Sequence, residues 1–563
     1  MGRWQSALLV LVILLAAQST TAGKKAESRF EELAGQALRN LQEFWPVYAT
    51  SMGVHDYDDR FTDYSPESVN NERRTLRDFL AKLYKLQSAD LPPDMEIDFR
   101  LIKANCEMAH LRLSEIKYHI NNPNVYLRDA ADGLYLILAY NYAPLEKRLE
   151  DILGRMRALE KFLEQGIKNL ENPPAIWKEY ARQNTASVKK LYLETATYLK
   201  TEFPRRAGDI ESASRTAAGA LDRFAAFLDT LVVGDPKGIA IGKEYYDYIL
   251  QHEYLFSFDS DSLLKIGEKL LAETQAARDE LERTIGVKSG DDSVFVPASL
   301  CRQDVLDYYT WELDQVKRFV GGHDLLTIPP DIGTCKVMET PEFLRGIIKG
   351  IAYQPAGPFD TARTGYFYIR PIPDSLTAEQ RRQYLLQIQQ RGFRGSAVHE
   401  AYPGHHLQMQ LACRAYSDVR RWQTNNLLVE GWALYCEEMA YDAGLYGDDR
   451  ARYLGVLRGV IFRAARIIVD VKLQTGQFDY DQAVDWMCKT LGSDTTYIKS
   501  EVLRYSMDPG QPMTYLMGKS EIVRLRDKLK AREGAGFTLK SFHDRLLKEG
   551  SIPISLIEEK LYK

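Results

Sequence analysis

Apolar residues recur at i, i+3, i+4 and i+7, with charges between them, in one segment of this chain after another: 27–47, 99–120, 145–172, 212–231 and 263–286, then again 448–475 and 520–533. A period near 3.6 gathers the apolar set into one stripe of a helix, and a stripe of that kind is stable only when another covers it. A mainly α body of long, mutually buried helices is therefore expected. Pro and Gly punctuate the pattern, as at Asn172-Pro-Pro, Gly234-Asp-Pro and Gly321-Gly-His. With 563 residues, 45% of them hydrophobic, the chain has material for a large core. No linker-like stretch, internal repeat or low-complexity run divides it. The expectation is a single body over 23–563, split by a cleft into two lobes, with 23–360 mostly scaffold and 361–563 carrying the chemistry.

Residues 399–406 read His-Glu-Ala-Tyr-Pro-Gly-His-His and hold three of the chain's nine histidines. In the His-Glu-x-x-His helix of zinc hydrolases, two imidazoles stand one turn apart with the Glu beside them. Here Pro403 takes the place of the second histidine. On a straight helix His405, at i+6, would lie roughly 120° off the face, and His406, at i+7, about 10.5 Å along it. Neither suits one tetrahedral ion. Pro403 cannot donate to the His399 carbonyl, and Gly404 tolerates backbone angles closed to other residues, so a local break is expected. Such a break would return His405, the smaller distortion, toward His399. His406 stays as the alternative ligand or as a donor behind the ligands.

Downstream, Asn-Leu-Leu-Val-Glu430-Gly-Trp-Ala-Leu-Tyr-Cys-Glu437 reads as an apolar helix with carboxylates at i and i+7. Acids on such a face are costly unless paired or metal-bound. Glu430 supplies the missing ligand type. Glu437, one helical repeat on, is placed to accept the free N–H of a ligand histidine.

The octet, the Glu-Gly-Trp-Ala-Leu-Tyr segment and the stretch Tyr505-Ser-Met-Asp-Pro-Gly-Gln-Pro-Met-Thr-Tyr515-Leu-Met-Gly518 together resemble the large bacterial family known as domain of unknown function 885, grouped with the gluzincin metallopeptidases. That resemblance implies a two-lobed helical metallopeptidase fold with Zn2+ as cofactor. It also implies His399, one of His405 or His406, and Glu430 as ligands, and Glu400 as general base.

Zinc held by two His and one Glu keeps a position for water, lowers its pKa and polarises a carbonyl. Glu400, directly after a ligand, can take the water's proton and pass it to the leaving amine. Tyr505 and Tyr515 flank Pro509-Gly510-Gln511 and are candidate oxyanion donors, Tyr515 the preferred one. Arg466 and Asp470, at i and i+4, suggest an ion pair within one helix.

One segment breaks the helical pattern. Thr364-Gly-Tyr-Phe-Tyr-Ile-Arg370-Pro is aromatic and β-branched, opens after a Gly and closes at Pro371. A small sheet beside the zinc helix is expected. An edge strand there would pair with an extended peptide, which makes Gly365, Tyr366 and Tyr368 candidate substrate-binding residues.

At the amino terminus, Arg3 precedes an apolar run from Ala7 to Ala17, and Thr20 and Ala22 put small residues at −3 and −1 of a cleavage point. Eleven apolar residues are too few to span a bilayer. Export to the periplasm or the extracellular space through a cleavable signal peptide over 1–22 is expected, with no membrane span in the mature form. Of the six cysteines, Cys301 and Cys335 are the nearest candidate pair. A net charge of −5 offers no basic surface for nucleic acid. The function expected is that of a zinc metallopeptidase acting on short exported or extracellular peptides. The alternatives are a zinc hydrolase of a non-peptide or modified amide, and a catalytically silent helical binding protein, which the intact Glu400 disfavours.

Overall fold

The computed structural model describes residues 24–86, 88, 91–285, 302–340, 351–370, 375–390, 393–447 and 449–562. It is mostly helical with one small sheet, as the periodicity predicts. A first helix, 24–44, is followed by α1 (Pro66–Tyr84), α2 (Pro93–Leu111), α3 (Leu145–Asn169), α4 (Ala175–Glu202), α5 (Ala207–Thr230), α6 (Ser260–Thr284) and α7 (Arg302–Gly322). Local chemistry sets their ends. Ser65 caps α1 by accepting from the Ser68 amide, with Pro66 in the first helical position, where a missing N–H costs nothing. The helix expected through Ile120 stops at Leu111, where a wide turn (Arg112–Ile116) leads into Lys117 at φ 53°.

The two stretches of sequence on either side of residue 360 pack into each other. Across that point α6 runs along α11 (Arg450–Gln474) and α7 covers α8 (Phe393–Glu400), while α5 lies against α3 and α4 within the first stretch. Gly267 of α6 makes the α6–α11 contact possible, since a Cβ there would stand 2.8 Å from Ile467 Cγ2. One buried apolar cluster extends from Phe30 to Ile557. Among the described residues no helix is long and apolar enough to cross a membrane.

The sheet has the order β1 (Cys335–Glu339), β3 (Gly365–Ile369), β2 (Ala352–Gln354), parallel between β1 and β3 and antiparallel between β2 and β3. The strand expected at an edge is thus the central one, buried along its whole length. Its ladder groups are taken on both sides, because β1 and β2, whose short sequences carry little β signal, flank it. Gly365, Tyr366 and Tyr368 therefore lie on no free edge at which an extended peptide could pair. Gly365 leaves room for Tyr353, whose hydroxyl would lie 2.3 Å from a Cβ at that position. The Tyr366 hydroxyl accepts from Asn141 Nδ2 at 2.6 Å, and the Tyr366 and Tyr368 rings stack 6.0 Å apart.

Candidate metal centre

The octet is a folded turn. α8 ends at Glu400; the amides of Ala401 and Tyr402 both return to the Ala397 carbonyl, the Gly404 amide reaches the Val398 carbonyl at 3.0 Å, and α9 (His405–Ala412) begins. The Tyr402–Pro403 peptide is cis. Gly404 is pressed so close to the His399 carbonyl that a Cβ would lie 1.8 Å from its oxygen. On the far side, the buried Trp432 indole donates to the Pro403 carbonyl at 2.8 Å. The expected break is present, and it brings the His405 ring to 4.9 Å from the His399 ring, nearly perpendicular to it.

α10 (Asn426–Asp442) supplies the third group. Its first turn is capped by the Asn425 side chain, which accepts from the Leu427 amide. Glu430 Oε2 lies 3.4 Å from His405 Nε2 and 3.9 Å from His399 Nε2. One ligand atom from each residue lies within 4.8 Å of the other two, and among the described residues no other such group of His, Cys, Asp or Glu occurs. Tetrahedral zinc with bonds of about 2.0–2.2 Å needs edges of about 3.3–3.6 Å; the two Glu430 edges lie near that range, and a set spread over up to 4.8 Å would have to draw in by about 1 Å to hold the ion. Burial pushes the Glu430 carboxyl up, but His405 and His399 outweigh it and hold the group down at about 2. Burial likewise works against the charged form of His405, and Glu430 overcomes it, raising its pKa.

Glu437 stands where the helical repeat places it. His399 Nδ1–H donates to its Oε1 at 2.8 Å, which leaves Nε2 as the unprotonated nitrogen facing Glu430. Arg463 Nη2 lies 3.8 Å from the same carboxylate. Glu400 is half-buried, is close enough to His405 to act on its charge, and has no hydrogen bond or ion pair among the described residues.

His406 points elsewhere. Its Nε2–H donates to the Gly333 carbonyl at 2.8 Å and its Nδ1 accepts from the Tyr353 hydroxyl at 2.8 Å, so both ring nitrogens are spent on tying the turn to the sheet. Burial in this neutral form pushes its pKa down to about 4.

Tyr515 comes from α13 (Thr514–Glu533), which packs along α10. Its hydroxyl accepts from Gln511 Nε2 at 3.4 Å and stands close enough to Glu430 to feel its charge, and burial, the largest influence, raises its pKa. Tyr505 is fully buried and donates to Glu501 at 2.7 Å, away from the cluster. The expected Arg466–Asp470 pair does not form. Arg466 reaches Glu501 on α12 (Thr495–Met507) at 2.7 Å, while Asp470 accepts from the Tyr246 hydroxyl and the Gly510 amide. Cys301 lies outside the described residues, and the other five cysteines form no disulfide.

Sequence reasoning missed Trp432, Tyr353 and the contact between Gly431 and Gly518. An isolated Gly in a helical apolar run, as in Glu430-Gly-Trp432, is the available signal for such a close approach.

Together these features define a mainly helical protein with a half-buried cluster of two histidines and a glutamate next to the Glu400 carboxylate. The chain belongs to the family described as bacterial protein of unknown function (DUF885), matched over residues 46–561. No curated protein matches it. Among solved structures it is similar to a "putative lipoprotein of unknown function" from Shewanella oneidensis, at 20% identity and a TM-score of 0.74 over 95% of this chain and 100% of that one. It is also similar to a "putative lipoprotein" from Colwellia psychrerythraea, at 19% identity and a TM-score of 0.73 over 95% of this chain and 98% of that one.

Proposed function

We propose that the protein is a zinc-dependent metallopeptidase of the gluzincin type that hydrolyses short peptides outside the cytoplasm. The observation that carries this reading is the convergence of His399, His405 and Glu430 beside Glu400, which has no hydrogen bond or ion pair among the described residues. Zinc bound there would supply a Lewis acid and an activated water. Glu400 takes the proton of the attacking water and returns it to the leaving amine. Glu437 holds His399 in the tautomer that offers Nε2. Tyr515 donates to the oxygen on which charge develops. Export is supported by the apolar run at 7–17, which lies outside the described residues, and by the description of both structural relatives as lipoproteins.

Metal analysis and peptide-library mass spectrometry test the reading. One equivalent of zinc is expected, with hydrolysis lost on chelation. Glu400→Gln should keep zinc and lose about 10²-fold or more in turnover, whereas His399→Ala should lose both. Protein that binds no zinc, or hydrolysis that survives in Glu400→Gln, overturns it.

A further inference from the structure

Three arginines crowd the side of the centre that Tyr515 occupies. Arg466 of α11 lies with its guanidinium 4.7 Å from the centre of the Tyr515 ring and gives Nη2 to Glu501 at 2.7 Å. Arg504 gives Nη2 to the same carboxylate at 3.2 Å and Nη1 to Gln511 Oε1 at 2.7 Å. Arg463 stands 5.9 Å from the Tyr515 ring. Glu501 also accepts from the Tyr505 hydroxyl, and one carboxylate cannot neutralise two guanidinium groups. Asp508 is the next acid, and Arg128 and Arg112 act on it more strongly than Arg504 does. The wall beside Tyr515 thus sets three guanidinium groups against the Glu501 and Glu437 carboxylates. Arg463 and Arg466 each also hold a buried Nε–H with no acceptor.

Arg504 is the open member. It exposes 38% of its side chain, against 9% for Arg466, yet burial is the largest influence on its charge, opposed and outweighed by Glu501. The exposed share leaves part of the guanidinium open to a ligand. Arg504 is joined to the centre through Gln511, which donates to Tyr515, whose phenol feels the Glu430 charge.

We propose that Arg504 receives the C-terminal carboxylate of the substrate, backed by the field of Arg466, so that the enzyme cleaves close to the carboxyl end of short peptides. A planar guanidinium with unused donors matches a carboxylate in two parallel hydrogen bonds. This assignment rests on the peptidase reading above, and Glu501 and Gln511 are positioning residues that hold the guanidinium in place.

The test uses alanine pentapeptide with a free carboxyl terminus and its C-terminal amide. Zinc-loaded wild-type protein and Arg504→Gln are compared by kcat/KM, and both are compared in a Glu400→Gln background by calorimetric Kd. The wild type should prefer the acid by about 10- to 100-fold, as expected for a charged hydrogen bond, with the difference in KM and the products coming from the carboxyl end. Arg504→Gln should erase the preference, and Arg504→Lys should keep part of it. Equal treatment of acid and amide by the wild type, which needs no variant, overturns the carboxylate site and leaves the peptidase reading standing. A preference that survives in Arg504→Gln overturns it as well. Acid-selective binding that depends on Arg504, with neither peptide cleaved, supports the site and sinks the peptidase reading.

Discussion

Gly431 and Gly518 touch through their backbones: a Cβ on Gly431 would lie 2.5 Å from Gly518 Cα, and one on Gly518 would lie 1.9 Å from the Leu427 carbonyl oxygen. The contact lets α10 and α13 approach closer than any side chain allows. Its neighbours in sequence are Glu430 on one helix and, three residues back, Tyr515 on the other. The distance between a candidate ligand and the phenol beside it is thus set by two missing side chains.

Gly518→Ala should therefore push the helices apart. A loss of about 2 kcal/mol or more of stability is expected, in the range of overpacked cores, together with weaker zinc binding. Urea unfolding and metal titration check it. An unchanged denaturation midpoint would show that the contact tolerates a methyl group.

The two adjacent histidines should separate cleanly. His405→Ala is expected to lose zinc while remaining folded. His406→Ala should retain zinc stoichiometry but lose about 3 kcal/mol, because the Gly333 carbonyl and the Tyr353 hydroxyl are left buried without partners. Zinc lost in His406→Ala and kept in His405→Ala would reverse the assignment.

Glu437→Gln removes the charge that fixes the His399 tautomer while keeping its size. Zinc affinity should fall about 10- to 100-fold, read by competition with a chromophoric chelator, with little change in the melting temperature. Affinity equal to that of the wild type would reduce Glu437 to a packing role.

His55 provides a pH signature far from the centre in sequence. It bonds Asp58 through Nδ1 and Asp360 through Nε2, each at 2.8 Å. Burial disfavours its charge, but the two carboxylates outweigh burial and raise its pKa to about 9. A folded-state pKa above the unfolded value of about 6.5 stabilises the fold fully below the unfolded value, and that contribution fades as pH rises through about 9. The stability gap between wild type and His55→Gln should be largest near pH 6 and shrink toward pH 10. A gap that grows with pH would contradict the assignment of a protonated, doubly paired imidazole.

Much of the centre was legible because local rules were enough. Pro403-Gly404 had to interrupt the helix, since one residue lacks the donor and the other alone fits against the His399 carbonyl. Glu430 and Glu437, seven residues apart, had to share a helix face. Tyr515 was separable from Tyr505 only in the fold, where Glu501 takes the Tyr505 hydroxyl while that of Tyr515 lies by Gln511 within reach of the Glu430 charge. Arg466 had a candidate partner one turn away and bonds one from another helix, a choice that spacing along α11 does not encode.

From the sequence alone came the helical architecture, the break in the octet, and the set of donors that could meet there, because backbone sterics and periodicity act over a few residues. Only the tertiary structure decided that His405 faces Glu430 while His406 is consumed by Gly333 and Tyr353. It also decided that the aromatic strand is the centre of the sheet and not its edge. Those outcomes depend on which elements lie next to each other, and that is settled by the packing of segments hundreds of residues apart.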